Sequence, residues 1–157
     1  MEEKFIEIKE EILRRGYEAK ACDEIKRAED SESLEELAQV IKDNFSWCVY
    51  KKVLDTEMIC KYKEEFASVG IYANESRSNG YVVIDSEVGE LSGNAIAILC
   101  DNATVNRVRD NATVNEVCDN AYISVYSYIE CKISGNAIMR VRSENKIYTN
   151  TEVVKPK

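Results

Sequence analysis

Asp101, Asp110 and Asp119 stand nine residues apart, and each is followed by an asparagine. Carboxylate and amide oxygens are hard ligands, so such an array has the chemistry to hold calcium. Calcium-binding nonapeptide rolls, however, build each site from a Gly-Gly-x-Gly-x-Asp turn, and here each turn offers one aspartate and one asparagine. The sequence therefore predicts no metal in the repeat. Six cysteines, at positions 22, 48, 60, 100, 118 and 131, form no Cys-x-x-Cys pair, and the chain has no histidine. Zinc is not expected from that spacing; buried or half-buried thiols in a reducing compartment are. The sequon-like Asn102-Ala-Thr104 and Asn111-Ala-Thr113 would matter only in a secretory compartment. No signal-like start precedes them, and a cytoplasmic location is expected.

Other catalytic chemistry is not signalled. No histidine is available as a base near neutral pH, no glycine-rich phosphate loop occurs, and no serine or cysteine stands in a nucleophile motif. The acid pairs Glu2-Glu3, Glu10-Glu11, Glu35-Glu36 and Glu64-Glu65 fall where a solvated helix face is expected. The chain is read as a non-enzyme without catalytic residues or cofactors. Its net charge of -8 opposes nucleic-acid binding, which needs clustered cations to neutralise phosphates. Helix, loop and helix around Val53 to Thr56 could suggest a DNA reader, but Cys60-Lys61-Tyr62-Lys63-Glu64-Glu65 lacks a basic footprint. No apolar run approaches membrane-spanning length.

The elements that position these residues fall into two halves, giving an α+β class: a helical bundle over residues 1–72, a linker over 73–80 and a β-solenoid with capping strands over 81–157. Phe5, Ile8, Ile12 and Leu13 recur at helical spacing up to Gly16, placed as a left-handed cap. A short second helix covers about 19–28. Ser33-Leu34-Glu35-Glu36 has the form of a capping box and opens a third helix with the stripe Leu34, Leu37, Ala38, Ile41 and Phe45, Trp47 and Tyr50 following near its end. Thr56 caps a fourth, with Met58, Ile59, Tyr62 and Phe66, ending before Gly70 and Ile71.

In the second half, units begin at Gly93, Asp101, Asp110, Asp119, Ser127 and Gly135, spaced by eight or nine residues. Each carries alternating apolar positions, such as Ala121, Ile123 and Val125, a strand signal. One unit is too short to enclose a core, so two per coil are expected, giving about three coils at 93–109, 110–126 and 127–142. Asn94, Asn102, Asn111, Asn120 and Asn136 then fall at corners, where asparagine tolerates a left-handed backbone and can hydrogen-bond along the stack.

This folding gathers Arg107, Arg109, Tyr122, Ser124, Tyr126, Arg140 and Arg142 on one outer face. Arginine and tyrosine anchor protein contacts at small entropic cost, so the face is a candidate interaction surface for an acidic partner or another copy. Ile96 and Ile98 point outward on the other side of the first coil. Part of the helical domain, or the strand Tyr81-Val82-Val83-Ile84, is expected to cover that end, and Ser143 to Val154 or a partner the other.

The Asp/Gly-Asn-Ala-Thr-Val units, after Asn44-Phe45-Ser46-Trp47-Cys48, Tyr62-Lys63-Glu64-Glu65-Phe66 and Gly70-Ile71-Tyr72, resemble those of uncharacterised short-repeat β-solenoid proteins with a helical N-terminal domain, from gut anaerobes and their mobile elements. The resemblance covers most of the chain and supplies no catalytic residues. Small acidic proteins of mobile elements include inhibitors of bacterial defence such as anti-CRISPR proteins, a likeness of class. The expected function is a non-catalytic protein-interaction module; the alternative is a structural module that self-associates through its solenoid ends.

Overall fold

A computed structural model describes residues 2–21 and 23–150, and the backbone of 153–154. Chain contacts divide it into two compact units, Met1–Ile71 and Tyr72–Lys157.

Among the described residues the first unit holds six helices: α1 (Glu2–Glu18), α2 (Glu24–Asp30), α3 (Leu34–Asp43), α4 (Phe45–Tyr50), α5 (Thr56–Lys61) and α6 (Lys63–Ser68). The four expected helices become six because the chain breaks at Asn44 and at Tyr62, neither of which has helical backbone angles. Ile8, Leu37, Ile41, Leu54, Ile59 and Phe66 are fully buried, which accounts for the apolar stripes. The Ser33 box forms: its hydroxyl accepts from Glu36 N at 3.2 Å, while Glu36 reaches past it to accept from Glu32 N at 2.7 Å.

Two caps fall elsewhere than expected. Gly16 lies inside α1, where a Cβ would stand 2.5 Å from Ile25 Cδ1, and the left-handed turn is taken by Lys20 at φ 60°. Small size against α2 is what that position requires. The cap of α5 is Asp55, whose carboxylate accepts from Met58 N at 2.9 Å, rather than Thr56. Lys9 Nζ donates to the carbonyls of Glu29 and Ser31 at 2.6 and 2.7 Å, satisfying the end of α2.

The second unit is a β-solenoid of about four coils built from two sheets. Its strands are β1 (Ile71–Ala73), β2 (Tyr81–Ile84), β3 (Glu87–Leu91), β4 (Ile96–Leu99), β5 (Thr104–Val108), β6 (Thr113–Val117), β7 (Tyr122–Val125), β8 (Lys132–Ile133), β9 (Ile138–Val141), β10 (Lys146–Tyr148) and β11 (Val153–Val154). One sheet runs β1-β2-β4-β6-β8 and the other β11-β10-β9-β7-β5-β3. From β2 to β9 each sheet advances by parallel pairing, and each coil contributes one strand to each sheet.

The additional coil lies before Gly93. Strand β2, expected as a covering strand, pairs in register with β4, and β3 pairs with β5, so residues 81–91 form a coil of their own. They lack the Asn-Ala turn that marks later units, which hid them from the repeat alignment. Residues 73–80 are no free linker. Asn74 Oδ1 accepts from Asp85 N at 2.9 Å, Ser76 Oγ accepts from Glu90 N at 3.1 Å, and Arg77 bridges to Leu91. At the other end β10 and β11 turn antiparallel and extend the second sheet. The expected closing segment Ser143 to Val154 includes Thr151 and Glu152, which lie outside the described residues.

The mixed eight- and nine-residue spacing has a structural cause. Between β4 and β6, Ala97 faces Val114 but Ile98 faces Glu116, so Asn115 is an extra, bulged residue. Val114 and Val117 both remain fully buried on either side of it. Without the bulge, one added residue would turn the rest of the strand inside out.

Deleting Asn115 should therefore shift the melting temperature by only a few degrees, because Val114-Glu116-Val117 restores plain alternation. Deleting Val114 turns Asn115 into the core and should cost about 2–5 kcal/mol, as should Ile123→Ala through its cavity. Thermal unfolding of the variants checks the ranking.

In the first unit, hydrogen bonds from Arg14 and Arg15 pull the Glu11 carboxyl down from 4.5 to about 2. A depressed folded-state value stabilises above the unfolded value and loses that contribution as pH falls from about 4.5 to about 2. Glu11 is nearly one-third exposed, so screening keeps the contribution below about 1 kcal/mol. Glu11→Gln should flatten the acid limb of helix loss followed by far-UV circular dichroism.

Candidate functional site

Corner geometry decides what the repeat residues can do. The left-handed position is not the asparagine but the residue before it: Gly93, Asp101, Asp110, Asp119 and Gly135 have φ between 53° and 61°. The following asparagine donates its backbone N–H to the corner carbonyl one coil back: Asn111 to Gly93 at 2.9 Å, Asn120 to Asp101 at 2.9 Å and Asn136 to Asp119 at 2.7 Å. Asparagine side chains add a ladder along one corner, with Nδ2 of Asn136 donating to Asn120 Oδ1 at 3.2 Å and Nδ2 of Asn120 to Asn102 Oδ1 at 3.5 Å.

Two of the aspartates are engaged as well. Asp119 Oδ2 accepts from Asp101 N at 2.9 Å and Asp110 Oδ2 from Gly93 N at 3.2 Å, so each carboxylate ties a corner amide of the coil before it. Glycine at 93 answers close approach: a Cβ there would lie 2.2 Å from the Ser78 carbonyl oxygen. Among the described residues, no group of three or more metal-ligating side chains converges.

The arginines and tyrosines singled out in the sequence lie on the strands of the β3-β5-β7-β9 sheet or directly after them. After the inward Leu91, Val108, Val125 and Val141 come Ser92, Arg109, Tyr126 and Arg142; one pleat earlier, on the outer side, come Glu90, Arg107, Ser124 and Arg140. The sequence-derived face is thus assembled as two columns running up the solenoid, with Tyr122 beside them, paired with Thr104 and Ile138.

Its two ends differ electrostatically. Glu90 pairs with Arg109 Nε at 2.6 Å and with Arg107 Nη1 at 4.0 Å, so one carboxylate partly neutralises the first arginine pair. That partner was not anticipated from the sequence, because it lies in the coil the repeat alignment omitted. Arg140 and Arg142 are exposed, and among the described residues neither forms an ion pair. Nearby Glu144 is turned to Lys146 and to the Tyr148 hydroxyl. Tyr126 is 64% exposed, while Ser124, in register with Arg140, is buried.

Three of the thiols are held away from reactivity. Burial pushes Cys48 up to about 12 and Cys131 to about 11. Burial, helped by Asp119 and Glu116, does the same for Cys118, to about 11. Each stays protonated near neutral pH, which suppresses both nucleophilicity and metal affinity. Cys60 is exposed, and Cys22 lies outside the described residues.

Compared with family models, curated proteins and solved structures, the chain matches none.

The corner assignment predicts an order at position 119. Asp119→Asn keeps an acceptor and a residue at ease in the left-handed region, Asp119→Gly keeps only the backbone, and Asp119→Ala keeps neither. Alanine should cost about 1–2 kcal/mol, glycine less and asparagine least, read from denaturant midpoints.

Proposed function

We propose that the protein is a non-catalytic binding module whose solenoid presents a rigid platform to an acidic protein surface, with Tyr126, Arg140 and Arg142 as the principal anchors and Arg107, Arg109 and Tyr122 as flanking contacts. The observation that carries this reading is the unequal pairing of the arginines. Arg107 and Arg109 already share Glu90, whereas Arg140 and Arg142 stand in solvent beside an exposed tyrosine on a backbone fixed by parallel ladders. Side chains on such a backbone lose little freedom on binding, and arginine can engage carboxylates in a bidentate way. Blocking a bacterial defence complex, the role suggested by the resemblance to small proteins of mobile elements, is one task such a platform serves.

Self-association by end-to-end stacking is the weaker reading. It needs open strand edges, and two of them are blunted: residues 74–77 line the edge of β3, and β8 is only two residues long, with charged Lys132.

Affinity capture from cells that naturally carry the protein tests the proposal. Combined Tyr126→Ala, Arg140→Ser and Arg142→Ser should lose the partner by tenfold or more, on the order expected for interface anchors. Arg107→Ser with Arg109→Ser should lose roughly threefold, since Glu90 already engages both. Equal recovery with both variants would remove the face from consideration, and a mass that grows with concentration would favour stacking.

A further inference from the structure

The first unit contains a pocket unrelated to the solenoid face. It has a volume of about 180 Å³ and is walled by Ile12, Gly16, Ala28, Leu37, Ile41 and Val53. Apart from Glu24 and Asn44 its lining is apolar, and it includes Trp47, 36% exposed. Helix α1 passes close to α2 because position 16 has no side chain, and this seats Ile25 as one wall.

The polar pair at the rim is ordered. Glu24 Oε2 accepts from Asn44 Nδ2 at 3.0 Å and from Arg27 Nη1 at 2.6 Å. Asn44 Nδ2 also donates to the Val40 carbonyl at 2.9 Å, and Arg27 is further tied to Asp43 at 2.9 Å. The second oxygen, Glu24 Oε1, receives no hydrogen bond among the described residues. The carboxylate, 42% exposed at the rim, is thus held in position with its second oxygen open to solvent.

We propose that this pocket binds a small, neutral aromatic molecule bearing one hydroxyl or N–H donor, with its ring among the apolar walls and its donor on Glu24. Size sets the class: apolar cavities of about 150 Å³ accept benzene, and the volume here suits a single ring. Charge sets the rest. An anion would meet Glu24 with Arg27 already engaged, and a wholly apolar molecule would leave the free acceptor unused.

Titration of the full chain with 4-methylphenol, toluene and 4-methylbenzoate tests this, using the emission of Trp47, the single tryptophan, and amide chemical shifts. The phenol should produce a saturable change with shifts centred on Gly16, Ala28 and Val53. It should bind about tenfold more tightly than toluene, the worth of a hydrogen bond to a charged acceptor. Glu24→Gln should shrink that ratio to about threefold, and the benzoate should not bind. Ala28→Ile, which fills the pocket, should abolish binding while melting cooperatively. No saturable response to the phenol, shifts scattered over the surface, benzoate binding equally well, or undiminished binding by a folded Ala28→Ile would overturn the proposal. Should Ala28→Ile fail to fold, the wild-type shift map decides alone.

Discussion

The solenoid depends on one backbone constraint: at five of the six unit starts, all but Ser127, a residue sits near φ +55°, and at Gly93, Asp101 and Asp119 its carbonyl receives the amide of the next coil. Few L-residues accept that conformation without cost, and glycine, aspartate and asparagine are the least reluctant. Where the neighbouring coil crowds the corner, as Ser78 crowds position 93, only glycine fits. At 101, 110 and 119 there is room for a side chain, and aspartate fills it. At two of those corners, 110 and 119, its carboxylate also receives an otherwise exposed amide from the coil before. The alternation of Gly-Asn and Asp-Asn along the sequence therefore follows local crowding as well as ligand-free turn chemistry.

This explains what was legible in the sequence. Two units per coil, the pairing of 101–109 with 119–126 and 135–142, and the inward alanine-valine alternation all follow from period and chain reach. The first coil was not legible, because Tyr81-Val82-Val83-Ile84 and Glu87-Val88-Gly89-Glu90-Leu91 carry strand patterns without the corner letters. Nor could the exact left-handed residue be read: Asp and Asn both tolerate that region, and only geometry shows that the first of each pair adopts it. Spacing alone likewise could not tell a longer coil from a bulge, and it is the mismatched pairing at Ile98 and Glu116 that identifies Asn115 as the surplus residue.

In the helical unit the buried stripe was readable from its 3.6-residue period, while the breaks were not. Asn44 ends α3 as its side chain bonds back to the Val40 carbonyl and across to Glu24, a competition that depends on a residue twenty positions earlier. Gly16 shows the same limit from the other side. A glycine at the end of an apolar run reads as a cap, but its role here is set by Ile25 on the neighbouring helix. Local rules name the residues that can break or cap a helix, and tertiary contact chooses among them.

The repeated letters and the functional ones are consequently different sets. Asp, Asn, Ala and Val of each unit are committed to corners, ladders and the interior, which leaves variation to the outward strand positions. Within those positions the coil that escaped the repeat alignment matters most for the face, because it supplies Glu90. One carboxylate beside Arg107 and Arg109 distinguishes a partly neutralised arginine pair from one that forms no ion pair among the described residues. Among the described residues, the arginines outside any ion pair are thus those furthest along the solenoid from Glu90, separated from the first pair by the uncharged Ser124 and Tyr126.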